Sequence, residues 1–269
     1  MNVIQAILLG LLQGATEFIP VSSSGHLVLV PWLLGWPEPG LVFDALVHWG
    51  TLVAVLVYFW RDWWTLIAAW LRGLVRWEWS DPHARLMWLL ILGSLPAAVI
   101  GFLLEDFFES LFGQPAWVSV FLLATAALLA LGERLGRRTR GPEDLTWRDA
   151  VVIGLGQAAA IAPGISRSGS TMSVGLFRGL ERAAAARFSF LLGTPIILGA
   201  GLFKLTDLLA APDPLAQAPL LVAGFLAAAL SGYACIWFLL RYLQRGKLYP
   251  FAVYCALFGA FCLAVALVR

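Results

Sequence analysis

The sequence predicts an all-α polytopic membrane protein: six full transmembrane helices plus two re-entrant helix–loop–helix segments, related as an inverted-topology repeat. Three observations carry that prediction. The 269-residue chain is 61% hydrophobic and only 13% charged, where an ordinary soluble domain carries about 25% charged residues. Its basic residues gather in a few loops that fall on one side of the predicted layout. Two Ser/Gly loops far apart in the chain align without gaps and share several Gly, Gln and Ser positions.

The full crossings are read at about 41–60, 86–105, 116–135, 187–210, 218–240 and 250–268. Each run approaches the roughly 20 helical residues that cross a hydrocarbon layer of about 30 Å. None shows strand-like alternation, and lipid offers exposed backbone groups no partners, so helices are expected. Regions 1–36 and 148–180 are also apolar but are interrupted by Ser/Gly/Pro loops. Each predicts two half-helices that enter and leave on one side, with the irregular backbone enclosed by protein or a water-filled cavity.

The N-terminal run lacks a basic leader and is not read as a cleaved signal peptide. The Trp-rich stretch around Trp60, Trp63, Trp64, Trp70, Trp77 and Trp79 is read as an interfacial belt or surface helix. Cys235, Cys255 and Cys262 lie inside apolar segments without CxxC spacing and are read as packing residues. A net charge of +2 gives no sign of a nucleic-acid partner.

Charge placement tests the layout. The clusters are Arg61, Arg72, Arg76, Arg85; Arg134, Arg137, Arg138, Arg140, Arg148; Arg178, Arg182, Arg187; and Arg241, Arg245, Lys247. All four fall on one side, which the positive-inside rule makes cytoplasmic. Glu105, Asp106, Glu109 and Asp213 fall on the other side, together with both termini.

The repeat is visible without gaps. Residues 10–27 read GLLQGATEFIPVSSSGHL and residues 154–171 read GLGQAAAIAPGISRSGST. Gly10 meets Gly154, Gln13 meets Gln157, Ser22 meets Ser166, Ser24 meets Ser168 and Gly25 meets Gly169. Gly50-Thr51 is echoed by Gly193-Thr194. An odd number of crossings separates the two loops, so the halves insert with opposite orientation, the arrangement that places sites where two broken segments meet. A single transmembrane domain, 1–269, would then comprise a first inverted repeat (1–140) and a second (145–269).

Chemistry concentrates in the two loops. The first offers Glu17, Ser22, Ser23, Ser24, Gly25 and His26, with Gln13 one turn before Glu17 on the same helix face. A carboxylate at membrane depth reads as functional, and a helix-end cap is its bland alternative. A histidine behind SSSG suggests a nucleophile with its base, or a phosphate-binding cation. The second loop sets Arg167 among Ser166, Ser168, Gly169 and Thr171 at a helix start, where backbone N–H groups and a guanidinium fork attract phosphate oxygens. A purely structural Arg167–Glu17 salt bridge remains open. Asp44 and His48 form an i,i+4 pair that lines the same cavity or is structural. Lys204 and Asp207 are read as snorkelling to the interface. Carboxylate, serine, histidine and anion cradle together suit phosphoryl transfer. A transporter or flippase of a lipid phosphate or small anion on the same inverted repeat is the alternative.

QGATE (Gln13–Glu17), PVSSSGH (Pro20–His26) and PGISRSGST (Pro163–Thr171) give the chain a further meaning. With these motifs the whole chain resembles the undecaprenyl-diphosphate phosphatase family linked to bacitracin resistance. The resemblance implies hydrolysis of undecaprenyl diphosphate, recycling the lipid carrier of peptidoglycan synthesis. It also implies a divalent cation (Mg or Ca) and a bacterial inner-membrane location with a site opening to the periplasm. By position, Glu17, Ser23, His26 and Arg167 match the family's functional residues. Ser22, Ser24, Gly25, Ser166, Ser168, Gly169 and Thr171 are expected around the phosphates, and Glu17 with Gln13 near the metal. Gln13 stands where many members carry a first glutamate, which leaves one carboxylate fewer. Ser23 is expected as nucleophile, His26 as its base or the leaving-group acid, and Arg167 as clamp, with direct water attack as the competing mechanism. The expected partners are the polyprenyl diphosphate and membrane lipids, with a homodimer left open.

Overall fold

The computed structural model describes residues 1–76, 80–210 and 218–269, apart from the side chains of Leu41, Glu105 and residues 203–210. Helices dominate: α1 (Val3–Phe18), α2 (Ser23–Leu34), α3 (Leu41–Tyr58), α4 (Trp60–Arg76), α5 (Pro82–Leu103) and α6 (Glu105–Phe112) form the first half. The second half holds α7 (Pro115–Leu135), α8 (Trp147–Ala159), α9 (Arg167–Phe177), α10 (Arg182–Ala210), α11 (Ala218–Tyr242) and α12 (Tyr249–Val268). The described residues form no strand beyond an isolated bridge between Arg140 and Leu180.

Five helices are long and apolar enough to cross a membrane: Pro82–Leu103, Pro115–Leu135, Arg182–Leu202, Ala218–Tyr242 and Tyr249–Val268. A sixth candidate is the pair Val42–Tyr58 and Trp60–Arg76, bent by 76° at its break. Large apolar side chains such as Phe102, Leu230 and Leu257 point outward, as a surface facing lipid requires. The chain is therefore a multi-pass membrane protein.

In α4 the buried residues Trp63, Leu66, Ala69 and Gly73 recur every three to four positions, so one face meets the bundle while Trp60 and Trp64 face out. That two-faced pattern suits a helix lying in an interface. Trp77 and Trp79 lie outside the described residues, as do the side chains of Lys204 and Asp207. The three cysteines are free, and Cys255 and Cys262 are buried in the core as packing residues.

Regions 1–36 and 148–180 are each a helix–loop–helix: α1 and α2 about residues 19–22, α8 and α9 about residues 160–166. Their partners cross between the halves. α1 packs along α11, and α8 packs along α5. Both contacts depend on missing side chains: a Cβ on Gly10 would lie 2.3 Å from the Gly224 carbonyl oxygen, and one on Gly154 would lie 2.2 Å from that of Gly93.

Arginines tie one end of the bundle together. Glu133 at the end of α7 accepts from Arg138 (2.6 Å), Arg182 and the Leu248 N–H (3.1 Å) just before α12. Asp149 at the start of α8 pairs with Arg140 and with Arg178 just after α9, at 2.7 Å each. Arg187 of α10 pairs with Asp62 of α4. At the far end of α12, the Arg269 guanidinium lies 5.1 Å over the Trp32 ring in the last turn of α2. The α8–α9 unit thus starts and finishes at the arginine-rich end, whereas α2 finishes at the opposite one.

Candidate active site

The two Ser/Gly loops touch in the middle of the bundle. A Cβ on Gly25 would lie 3.2 Å from Gly164 Cα, and one on Gly169 would lie 3.4 Å from Pro20 Cβ. Each loop starts its second half-helix with a serine N-cap. Ser22 Oγ accepts from the Gly25 N–H (3.2 Å) and Ser166 Oγ from the Gly169 N–H (3.0 Å), which satisfies an otherwise orphaned helix donor. Ser24 and Ser168 sit 3.4 and 3.3 Å from their capping serines. The repeated S-x-S-G spacing is therefore cap chemistry used twice. The loops differ in one respect: Ser22 has φ +71°, in the left-handed region, while Ser166 has φ −73°. A non-glycine residue held there costs about 1–3 kcal/mol, which the surrounding contacts must offset.

Glu17, near the end of α1, is the hub. Its Oε1 accepts from Arg167 Nη2 at 2.6 Å, and its Oε2 accepts from the Ser23 hydroxyl at 2.5 Å and from Gln13 Nε2 at 3.0 Å. His48 Nε2 lies 3.9 Å from the same Oε2, while His48 Nδ1–H donates to the Asp44 carbonyl (2.7 Å). Glu17 and Ser23 are buried, and Gln13 is fully so, yet among the described residues its Oε1 has no hydrogen-bond partner.

Arg167 is aimed by α10. Its Nη1 donates to the Ser189 carbonyl (3.1 Å), and the Thr171 hydroxyl meets Ser189 Oγ at 2.6 Å. The guanidinium passes over Gly193, where a Cβ would lie 1.9 Å from Nη1. With the guanidinium in this position, only glycine leaves room for it.

His26 is arranged differently from Ser23, although the sequence places them three residues apart. Its Nδ1–H donates to the Ser22 carbonyl (2.7 Å), and its Nε2 accepts from the Tyr254 hydroxyl of α12 (2.7 Å). That tautomer follows because a carbonyl can only accept. The ring lies against both Tyr254 and Phe258, which also touch each other, and is 1% exposed. Among the described residues no hydrogen bond joins His26 to Ser23; the base in contact with the serine is Glu17.

The loops thus bring together Glu17, Ser23, Arg167 and Gln13, with Ser22, Gly25, Ser166, Ser168, Gly169 and Thr171 building the two helix starts and Ser24 beside them. Tyr254, Ser189 and Gly193 complete the arrangement. The Gly193-Thr194 echo of Gly50-Thr51 was a trace of one of them. Nothing local marks Tyr254, one more aromatic in an apolar run. Among the described residues no group of three His, Cys, Asp or Glu side chains is placed to hold a metal ion.

A carboxylate that grips a serine hydroxyl with one oxygen and an arginine with the other can take a proton and position an anion together. At the heart of a multi-pass bundle, that chemistry belongs to the class of integral membrane hydrolases. The sequence comparisons are more specific. The profile described as bacitracin resistance protein BacA matches residues 6–261, and the chain belongs to that family. It is 46% identical over 269 residues to an undecaprenyl-diphosphatase of Desulforudis audaxviator, covering all of both chains. Identity is 49% over 262 residues with the enzyme of that name from Thermomicrobium roseum, covering 94% of each, and 44% over 270 residues with that from Geobacter sulfurreducens, covering all of both.

Proposed function

We propose that the chain hydrolyses undecaprenyl diphosphate to undecaprenyl phosphate and inorganic phosphate, with Ser23 as nucleophile. Its family membership and its relatives' names support the reaction. The single observation that carries the mechanism is the 2.5 Å hydrogen bond from Ser23 to Glu17. Arg167 turns its fork onto the terminal phosphate and draws charge off the phosphoryl oxygens. Ser23 Oγ attacks the terminal phosphorus as its proton passes to Glu17, and the P–O bond to the inner phosphate breaks. Undecaprenyl phosphate leaves with the electron pair and takes up the proton from Glu17, which restores the carboxylate. Water then attacks the phosphoserine as its proton passes to Glu17, the Oγ–P bond breaks, Glu17 returns the proton to Ser23 Oγ, and phosphate is released. The N–H groups at the starts of α2 and α9, capped by Ser22 and Ser166, add positive potential toward the same point. His26 acts through position: between Tyr254 and the Ser22 carbonyl it fixes the turn that presents Ser23. A transporter would have no use for a hydroxyl poised on a carboxylate.

The divalent cation (Mg or Ca) implied by the resemblance fits the donor set as an ion shared with the substrate. Glu17 and the unpartnered Gln13 Oε1 would hold it, with phosphate oxygens completing its shell, since Mg²⁺ is usually held by one or two carboxylates plus substrate phosphates. It would neutralise diphosphate charge.

The architecture belongs to the same reading: six full crossings, two re-entrant segments, and inverted repeats at 1–140 and 145–269. The crossed pairing of α1 with α11 and α8 with α5 supports it, as do the opposite ends at which α2 and α9 finish. With the arginine-rich end in the cytoplasm of a bacterial inner membrane, the α1–α2 unit opens the site to the periplasm. All the site residues come from one chain, so a homodimer is compatible with this layout but not needed for chemistry.

Phosphate release from undecaprenyl or farnesyl diphosphate by purified protein, with and without chelator, tests the proposal. Release that a chelator abolishes supports it; transport of a lipid phosphate without release overturns it.

A further inference from the structure

Away from the Ser/Gly loops, the starts of α5 and α8 enclose an open groove of about 800 Å³. Arg85, Trp88, Leu89 and Leu92 of α5 form one wall, and Thr146, Trp147 and Arg148 at the start of α8 form the other. It lies at the arginine-rich end, whereas the loops of the candidate active site follow the other end of α8. The 13 residues of α8 put roughly 20 Å between the two.

The groove is polar at its mouth and apolar along its length. Arg85 Nη2 donates to the Leu145 carbonyl (2.6 Å), which fixes its guanidinium at the rim. The Arg148 guanidinium lies 5.3 Å over the Trp147 ring. Trp88 stands edge-on to Trp70 of α4, with ring centroids 5.7 Å apart. Indoles at this level are the usual markers of the membrane–water boundary. Leu89 and Leu92 continue the wall along α5 toward the membrane interior.

The ion pairing of the arginines bears on what the groove takes. At this end Arg138, Arg140, Arg178, Arg182 and Arg187 are paired with carboxylates, whereas the other basic side chains of these loops, those lining the groove included, form no ion pair among the described residues. Among the described residues, neither Arg85 nor Arg148 has a carboxylate within ion-pair distance. Two preoriented, uncompensated guanidiniums above an apolar slot fit a phosphodiester above an acyl chain. Basic pockets between membrane helices bind acidic headgroups on this principle.

We propose that the α5–α8 groove is a binding site for an anionic diacyl phospholipid of the leaflet beside the arginine-rich loops. Arg85 and Arg148 hold its phosphate, Trp88 and Trp147 flank the glycerol, and Leu89 and Leu92 take an acyl chain. A zwitterionic lipid of the same chains brings its own cation to the guanidiniums and is held less well.

Native mass spectrometry of the full chain, titrated with phosphatidylglycerol and with phosphatidylcholine of identical acyl chains, tests this. Phosphatidylglycerol should be retained more strongly, and Arg85→Gln/Arg148→Gln should lose that preference by on the order of tenfold. Arg85→Lys/Arg148→Lys should keep most of it, and hydrolysis of farnesyl diphosphate in detergent should be unchanged in both variants. Because Arg85 also holds the Leu145 carbonyl, Arg148→Gln alone provides a variant that leaves that contact intact; it should lose part of the preference. Equal retention of the two lipids, undiminished phosphatidylglycerol binding by the double Gln variant, or displacement of phosphatidylglycerol by stoichiometric undecaprenyl phosphate would each overturn the proposal.

Discussion

Glu17 and Arg167 are 150 residues apart in the chain and 2.6 Å apart in space, carboxylate oxygen to guanidinium nitrogen. The contact joins two loops of matching sequence. It also compensates two charges that would each be costly at this depth. An ion pair that only held the loops together would require little of its second partners, yet Ser23 occupies the other oxygen and the Ser189 carbonyl the other Nη.

The shape of the arginine fork yields one prediction. A guanidinium bridges two phosphate oxygens, and an ammonium cannot. Arg167→Lys should lower kcat/KM about a hundredfold, with the protein still inserted and monodisperse. Near-normal turnover would reduce Arg167 to a general positive charge.

Gly193 provides a second, independent probe of the same fork. A methyl group there would overlap Arg167 Nη1, so Gly193→Ala should push the guanidinium off line. Activity should fall about tenfold or more while thermal stability changes little, since the far end of a long side chain can move. Unchanged kinetics would mean that the Arg167 position is not critical.

The histidine's role can be separated by a double-mutant cycle. Tyr254→Phe removes one hydroxyl and keeps the ring stack with His26 and Phe258. It should reduce kcat by up to about tenfold, the worth of one hydrogen bond, with KM nearly constant. In a His26→Ala background the same change should have no further effect. Additive losses would show that Tyr254 acts independently of His26.

Much of this was legible in the sequence because it rests on local chemistry. Serine ahead of a helix start is a favoured N-cap, and Glu17 and Arg167 are conspicuous as lone charges in apolar surroundings. The Gln13–Glu17 spacing placed both side chains on one helix face, where they are hydrogen-bonded. What the sequence could not convey is rotation about a helix axis. His26 follows Ser23 by three residues on α2, yet its ring turns toward α12, and only the long-range packing of α12 decides that. The contact between His48 and Glu17 likewise depends on how α3 crosses α1. The end of the first span near residue 60 was legible, and α3 does end at Tyr58; left open was whether the Trp-rich stretch beyond it is a belt or a surface helix.

Topology has its own test. In a background lacking Cys235, Cys255 and Cys262, single cysteines at Thr139 and Gln114 should react with an impermeant reagent from opposite sides of the membrane. Thr139 lies in the arginine-rich loop after α7, and Gln114 caps the other end of that helix. Labelling from the same side would be incompatible with α7 as a span and with the inverted repeat.

The central claim is that Ser23, held by Glu17, is the attacking group, and phosphate release from purified Ser23→Ala beside Ser24→Ala measures it most directly. Ala removes the attacking oxygen at Ser23 but only a hydrogen-bonding hydroxyl at Ser24. Ser23→Ala should fall at least about a thousandfold, while Ser24→Ala should stay within about tenfold of wild type. Similar, modest losses in both variants would contradict covalent catalysis by Ser23 and point to water as the nucleophile.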